Sequence, residues 1–382
     1  MTPTATPFTS GLEGVVAAET RLSHVDGEAG KLILAGLPVE VLAPTATFEE
    51  TVHLLWEGSL PSRRDLDRLR RDLADRRELP APTFDLLRAA ARAGADPMDA
   101  LRSAASTLSL APGVVDTTPS ARTISAPRTA RGSGDPKEDA LRMVAAFPTL
   151  VAAYRRLSIG EEPIAPDPSL GHVASYLYML EGARPHPRRE RALTTYLNTV
   201  VDHGMNASTF TARVIISTRS DVVSAVVGAV GALKGPLHGG APGPALDLVF
   251  EIGEAERAEA HVRAMLERGE RLMGFGHRVY KVRDPRADVL SQAARTLADE
   301  GEAAELHALA RAVEDTVLRL LEETKPGKRL KTNVEYYTAL LLHGLGLPKE
   351  VFTPTFAIGR VAGWTAHCFE QLATGRLIRP AS

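Results

Sequence analysis

A thirteen-residue stretch, GFGHRVYKVRDPR at residues 274–286, combines a glycine-flanked histidine, His277, with four cationic side chains. The cations are Arg278, Lys281, Arg283 and Arg286. Arginine binds carboxylates in a bidentate manner, and both cation types bind phosphates. Nearby positive charge keeps an imidazole neutral, and a neutral imidazole can donate a hydrogen bond to a developing oxyanion. The stretch therefore predicts a site for an anionic ligand; a solvated basic loop would explain only the charge.

Two further polar clusters interrupt apolar sequence. In VDHGMNASTFTARVIIST, residues 201–218, His203 is close to Asn206 and Ser208, although a structural, hydrogen-bonded histidine fits that pattern equally well. In LKGPLHGGAPGPALD, residues 233–247, His238 lies on a Gly- and Pro-rich turn where a ligand atom could approach closely. The alternative for His238 is a turn that contains a histidine by chance.

A metal-dependent hydrolase built on the three histidines is a further alternative. Their spacing matches no compact metal motif, and a cationic neighbourhood repels a divalent ion. We therefore expect no metal.

The elements that must position these residues are mainly helical. Apolar residues recur at three- and four-residue intervals in four segments: 48–58, 139–157, 258–273 and 304–324. Residues 221–233 are apolar on every side, which predicts a buried helix, and residues 31–43 predict a short β element. Residues 117–139, rich in Pro, Ser, Thr and Arg, indicate a solvated loop rather than a phosphate-binding arm. The predicted fold class is all-α.

The overall composition is that of a soluble globular protein of 382 residues, with 44% apolar and 24% charged residues. The 45 Lys and Arg against 47 Asp and Glu give no basic surplus for nucleic acid. The single cysteine, Cys368, cannot form an intramolecular disulfide and suits a buried apolar position. Because neither a signal peptide nor an apolar run of about 18 residues is found, we expect a cytoplasmic protein with no membrane partner.

Four motifs in order, GPLHGGA, GFGHRVYKVRDPRA, NVEYYTALL and FTPTFAIGRVAGWTAHCFEQ, resemble the citrate synthase family. GLEGVVAAETRLSHVDGEAGKL, FEETVHLLWEGSLP and GRLIRP extend the resemblance to both ends of the chain. It implies a two-domain helical homodimer, with a large domain from residues 1–239 and 340–382 and a small inserted domain from 240–339. It also implies condensation of acetyl-CoA with oxaloacetate to citrate and CoA, without a metal or redox cofactor.

The resemblance also implies roles for individual residues. His238 would donate to the thioester oxygen, His277 would polarise the oxaloacetate carbonyl, and His203 would help to hold oxaloacetate. Three arginines would clamp its carboxylates: Arg286, Arg360 and, from the partner subunit, Arg379. The CoA-binding candidates are Gly274, Gly276, Arg278, Lys281 and Arg283.

This sequence departs from the family pattern at the catalytic acid. The family usually has aspartate in an NVDFYSG-like motif, where this chain has Glu335, and GGAPGP replaces the more usual GGANEA beside His238. The two changes resemble those of a divergent branch described as second citrate synthases. Asn333 is expected to cap the helix that carries Glu335, and only a short segment follows Arg379. A 2-methylcitrate synthase using propionyl-CoA and a non-catalytic oxaloacetate- and CoA-binding paralogue stay open as alternatives.

Overall fold

The computed structural model describes residues 10–12, 14–110, 134–238, 242–297 and 302–380. Within these ranges the fold is all-α apart from one small antiparallel sheet with the strand order β1-β2-β3. Its strands are β1 (Ser23–Asp26), β2 (Lys31–Leu34) and β3 (Leu37–Pro38). Ser23 pairs with Leu34 and Asp26 with Lys31, so β1 and β2 form a hairpin with residues 27–30 at its tip.

The helices of the first half of the chain are α1 (Val39–Thr45), α2 (Phe48–Glu57), α3 (Arg63–Ala74), α4 (Ala81–Arg92), α5 (Pro97–Ser106), α6 (Pro136–Ser158), α7 (His172–Glu181) and α8 (Pro187–Val200). Those of the second half are α9 (Ala207–Ser217), α10 (Val222–Lys234), α11 (Pro242–Ile252), α12 (Ala258–Glu267), α13 (Pro285–Leu297), α14 (Glu302–Thr324), α15 (Val334–Gly344) and α16 (Phe352–Thr374). Short 3₁₀ turns at Ser10–Leu12, Thr107–Leu110, Ala255–Arg257 and Lys349–Val351 complete the elements.

Helix α16 lies at the centre of the core and packs against α2, α6, α8, α9 and α10. Two of its glycines allow the backbone of α8 to approach closely. A Cβ added at Gly359 would lie 2.9 Å from the carbonyl oxygen of Leu197, and one at Gly363 would lie 2.2 Å from that of Val201. This contact fixes the end of α8, and therefore the turn that carries His203, against the face of α16.

Helix α13, which follows the His277 loop, packs against α15 and also against α1 and α8. The loop that carries His277 is thereby held beside the end of α8. The predicted domain boundaries at residues 240 and 339 stay a prediction.

The structure confirms most predicted helices and corrects three segments. Residues 31–43 form β2, β3 and then part of α1, because Val39 and Leu42 turn into the core on a helical spacing. The helix predicted over 258–273 ends at Glu267, just before Gly269 at φ 73°. Most of the loop predicted over 117–139 lies outside the described residues, but its end is the first turn of α6, capped by Asp135.

Two sequence expectations concern burial and membranes. Cys368 is fully buried, as predicted. Among the described residues, no helix is long and apolar enough to span a membrane.

Candidate active site

Two glycines shape the loop that presents His277. Gly274 and Gly276 have φ angles of 91° and 88°, and a Cβ on either would lie 2.9 Å from a side chain, that of Tyr336 or that of Leu330. The loop pairs with the segment before α15, because Gly276 N donates to the carbonyl oxygen of Lys331 at 2.7 Å. These glycines therefore place His277 beside the start of α15.

Hydrogen bonds fix the tautomer of His277. Its Nδ1 accepts from the backbone N–H groups of Val279 at 3.0 Å and Tyr280 at 3.1 Å. Burial, and then the charge of Arg286, lower the pKa of His277 to about 4, so the ring is neutral at pH 7, as the sequence predicts. Since Nδ1 accepts, the single ring proton is on Nε2.

Arg286 lies beside that proton. Its Nη2 is 3.5 Å from Nε2 of His277, and both atoms are donors, so neither can satisfy the other. Asp284 holds the guanidinium by accepting from Nε at 3.0 Å and from Nη2 at 2.8 Å. Burial alone would lower the pKa of Arg286, but Asp284 outweighs it and the pKa is raised. At this separation, one oxygen of a ligand could accept from both donors.

His203 lies on the same side of the site. Its ring centroid is 5.6 Å from that of His277, and its Nε2 is 3.1 Å from the hydroxyl of Tyr280. Burial, followed by Arg286 and His277, lowers the pKa of His203 well below its usual value. His203 is therefore a second neutral imidazole group in the site. The sequence analysis did not single out Tyr280, although it lies inside the GFGHRVYK motif.

His238 is held by Ser208 of α9. Its Nε2 is 2.8 Å from the Ser208 hydroxyl, which also accepts from Trp364 Nε1 at 3.1 Å and lies 2.8 Å from Oδ1 of Asn206. The hydroxyl donates to Oδ1 of Asn206, so Nε2 of His238 donates to the hydroxyl. For Nδ1 of His238 to donate to a ligand, the hydroxyl must instead turn and donate to Nε2. Burial, and then Arg360, lower the pKa of His238 to about 4.

Glu335 is the acidic residue in the first turn of α15. Asn333 caps that helix as predicted, accepting from Glu335 N at 3.0 Å. Oε2 of Glu335 is buried without a hydrogen-bond partner among the described residues. Burial raises the pKa of Glu335 to about 7, with Arg286 and Arg360 opposing and Asp284 adding to the rise. The group therefore titrates near neutral pH.

Arg360 of α16 is a buried cation that also acts on the pKa of Glu335. Its Nε donates to the carbonyl oxygen of Val200 at 2.6 Å, and its guanidinium lies 4.5 Å from the ring centroid of Phe356. Within the described residues, no carboxylate lies within ion-pair distance of Arg360. Burial is the main cause that lowers its pKa to about 10. This cation therefore lacks a close anionic partner among the residues that the structure describes.

The CoA-binding candidates divide into two groups. Arg278 and Lys281 are exposed, and Lys281 Nζ donates to the carbonyl oxygen of Arg278 at 3.2 Å. Arg283 instead forms internal ion pairs with Asp288 at 2.5 Å and with buried Glu314. This geometry favours a structural role for Arg283, which the positive charge alone could not reveal.

Arg379 is exposed in the C-terminal segment and is not among the clustered residues. The backbone beside it is anchored, since Ile378 N donates to the Ser217 hydroxyl at 3.0 Å. The described parts of the chain contain no group of three or more His, Cys, Asp and Glu that could hold a metal ion.

A family model, citrate synthase C-terminal domain, matches residues 11–381. The chain belongs to the citrate synthase family. Citrate synthase 2 of Bacillus subtilis is 39% identical over 97% of this chain and 94% of that protein. The citrate/2-methylcitrate synthase of the same organism is 36% identical over 98% of this chain and 95% of that protein.

Solved citrate synthase structures share the fold. The Thermotoga maritima enzyme has a TM-score of 0.83 at 37% identity, covering 98% of this chain and 95% of that one. The Thermoplasma acidophilum enzyme, solved as a ternary complex with carboxymethyl coenzyme A and oxaloacetate, has a TM-score of 0.86 at 28% identity, covering 98% of this chain and 95% of that one. Family membership therefore extends over nearly the whole chain, and the chain is an enzyme of the acyltransferase class.

Proposed function

We propose that this citrate synthase family member condenses acetyl-CoA with oxaloacetate and water to give citrate and CoA. The observation that carries the proposal is the pairing of donors at His277 and Arg286, 3.5 Å apart, with Glu335, a buried carboxyl of pKa about 7. The donors would polarise the ketone of oxaloacetate, and the carboxylate would remove the α-proton of the acetyl-CoA thioester. The site thus contains a group for the activation of each substrate.

Oxaloacetate would occupy the position in front of His277. The Nε2 proton of His277 would polarise the ketone oxygen, and Arg286 would bind the adjacent carboxylate. Arg360, which has no carboxylate partner among the described residues, would also bind a carboxylate of oxaloacetate. His203 would add a hydrogen bond, and Arg379 would come from the partner subunit of a homodimer.

Acetyl-CoA would then be activated between an acid and a base. Glu335 would take a proton from the methyl carbon while His238 donates to the thioester oxygen, stabilising the enolate. The enolate carbon would attack the ketone carbon of oxaloacetate, and the ketone oxygen would take up a proton beside His277. Water would hydrolyse the resulting citryl thioester and release CoA. No step requires a metal or redox cofactor.

The exposed cations Arg278 and Lys281 would bind CoA phosphates, with Gly274 and Gly276 shaping their loop. Residues 240–339 would close as a small domain on the rest of the chain and assemble the site. We place the enzyme in the cytoplasm, with neither nucleic acid nor membrane as a partner.

A 2-methylcitrate synthase is the second candidate, because one of the similar proteins carries both names. Acetyl and propionyl groups differ by one methylene, which a pocket discriminates by only about 1–3 kcal/mol. A non-catalytic paralogue is a third candidate, and it would bind oxaloacetate without turnover.

The test is thiol release from acetyl-CoA and from propionyl-CoA, each with and without oxaloacetate. We expect release that depends on oxaloacetate, faster with acetyl-CoA, and lost in Glu335→Gln. Glu350→Gln, which changes an exposed glutamate, is the matched control and should keep wild-type activity. Faster release from propionyl-CoA would establish the second candidate. Oxaloacetate binding without any release would establish the third.

A further inference from the structure

A buried polar network adjoins His203 in the chain and includes none of the side chains assigned to the reaction. It joins Arg213 of α9, His367 of α16 and Asp202, the residue before His203. Arg213 Nη1 donates to Nδ1 of His367 at 3.1 Å, and His367 Nε2 lies 3.0 Å from Oδ1 of Asp202. All three side chains are at most 2% exposed. A network this deep is costly unless every member is satisfied.

The direction of these hydrogen bonds is fixed. A guanidinium only donates, so Nδ1 of His367 accepts and its Nε2 proton goes to Asp202. The charge of Arg213 is paired with Glu370 at 2.5 Å. Burial would raise the pKa of Asp202, but His367, Ser23 and Arg360 outweigh burial and lower it. Asp202 is thus held as a carboxylate.

Asp202 in turn fixes the turn around His203. Its Oδ2 accepts from the Ser23 hydroxyl at 2.5 Å, and that hydroxyl accepts from Gly204 N at 2.9 Å. The residues on both sides of His203 are therefore tied to strand β1. The tip of the same hairpin reaches the His277 loop, since Gly27 accepts from Lys281 N at 2.9 Å.

The other end of the network reaches the C-terminal segment. Arg213 Nε donates to Oε1 of Gln371 at 3.0 Å, and Nε2 of Gln371 donates to the carbonyl oxygen of Arg376 at 2.8 Å. Arg376 lies three residues before Arg379. One cluster of hydrogen bonds thus anchors both the His203 turn and the segment that carries Arg379.

We propose that His367 and Arg213 are positioning residues for oxaloacetate, acting through Asp202 on His203 and through Gln371 on the segment of Arg379. The proposal rests on the proposed function, in which the His203 turn contacts oxaloacetate in the site of its own subunit and the Arg379 segment contacts it in the site of the partner subunit. None of the network side chains touches the substrate. Their effect is on the placement of groups that do, and a displacement of about 1 Å can cost roughly 100-fold in rate.

The test compares His367→Gln and Ser23→Ala with Cys368→Ala, a buried change at the next position of α16 that leaves the network intact. The readouts are kcat, the KM for oxaloacetate, the KM for acetyl-CoA and the urea midpoint. We expect the two network variants to raise the oxaloacetate KM roughly 10-fold or more, with the acetyl-CoA KM within about twofold of wild type. Cys368→Ala should lower the urea midpoint without changing either KM.

An unchanged oxaloacetate KM in both network variants would overturn the proposal, as would an equal rise in Cys368→Ala. If His367→Gln does not fold, Ser23→Ala decides alone, because it removes only a partly exposed hydroxyl. If the wild type releases no thiol, the proposed function fails. Calorimetric binding of oxaloacetate to the same variants then tests the positioning effect separately, and equal affinities would refute it.

Discussion

Replacing Glu335 by glutamine should abolish activity and stabilise the protein at the same time. The carboxyl has a pKa of about 7 instead of 4.5, mainly because it is buried, and its Oε2 has no hydrogen-bond partner in the described part of the chain. A neutral amide of nearly the same shape avoids the cost of burying the charge. The base is lost with it, and general bases contribute about 10²- to 10⁴-fold in rate.

The size of the stability change follows from the pKa. A folded-state pKa raised above the unfolded value favours the fold at low pH, and this contribution is lost as the pH rises through the folded pKa. A rise from 4.5 to about 7, at about 1.4 kcal/mol per pKa unit, corresponds to about 3 kcal/mol. Glu335→Gln should therefore gain up to about 3 kcal/mol in unfolding free energy at pH 8 and almost nothing near pH 4.5.

The same pKa predicts the pH dependence of the wild type. At pH 6 only about one tenth of Glu335 is ionised, so kcat/KM should be about tenfold below its plateau. His238 and His277, with pKa values of about 4, stay neutral over this range and add no second limb. The fall in kcat/KM toward acid pH, with a midpoint of about 7, should therefore report the protonation of Glu335.

The assays are urea unfolding and thiol release, each from pH 5 to pH 9. Glu314→Gln is the control, because Glu314 is also buried but accepts from Thr332 and from Tyr337, the latter at 2.6 Å. Burial raises its pKa, these hydrogen bonds outweigh burial, and the pKa is lowered. Its glutamine variant should lose stability at pH 8. The reasoning would be refuted if kcat/KM of the wild type fell only near pH 4.5 and Glu335→Gln showed no gain in unfolding free energy.

Three further substitutions test single contacts. Ser208→Ala removes the oxygen 2.8 Å from His238 Nε2 and should lower kcat by up to roughly 100-fold; an unchanged kcat would show that Ser208 does not orient the ring. Gly27→Ala would place a Cβ 2.3 Å from the carbonyl oxygen of Val279, so the oxaloacetate KM should rise as the loop shifts, and a wild-type KM would contradict this. Arg283→Ala should cost about 3 kcal/mol in urea unfolding, since it leaves a buried carboxylate with fewer partners; a rise in acetyl-CoA KM without loss of stability would instead show a CoA contact.

The sequence predicted the helices well because burial repeats at helical spacing. It was less accurate where the two-residue apolar repeat of a strand runs into the three- to four-residue repeat of a helix. Residues 31–43 contain both strand residues and the start of a helix, and only the packing of Val39 and Leu42 decides where one ends. The end of the helix at Glu267 depends on the positive φ of Gly269, a backbone property that apolar periodicity does not carry.

The candidate site shows a similar division. The motifs identified His277 and Arg286, which the structure brings within 3.5 Å. The sequence could not show that Arg283 is paired internally, because all four cations of the stretch have the same charge and similar spacing. It also did not single out Trp364, which contacts Ser208 from a helix 156 residues away along the chain. Such contacts arise from the packing of α16 against α9, and only the fold reveals them.

The polar groups of the site are arranged for a ligand rather than for each other. Two donors, on His277 and Arg286, lie 3.5 Å apart, and Arg360 has no carboxylate within ion-pair distance in the described chain. Among the same described residues, Oε2 of Glu335 is buried without a hydrogen-bond partner. Each of these features costs folding free energy in the free protein. A dicarboxylate with a central ketone would satisfy the donors and both arginines at once. Because such a ligand binds only the folded state, oxaloacetate should offset part of that destabilisation, and the unfolding free energy should rise with its concentration.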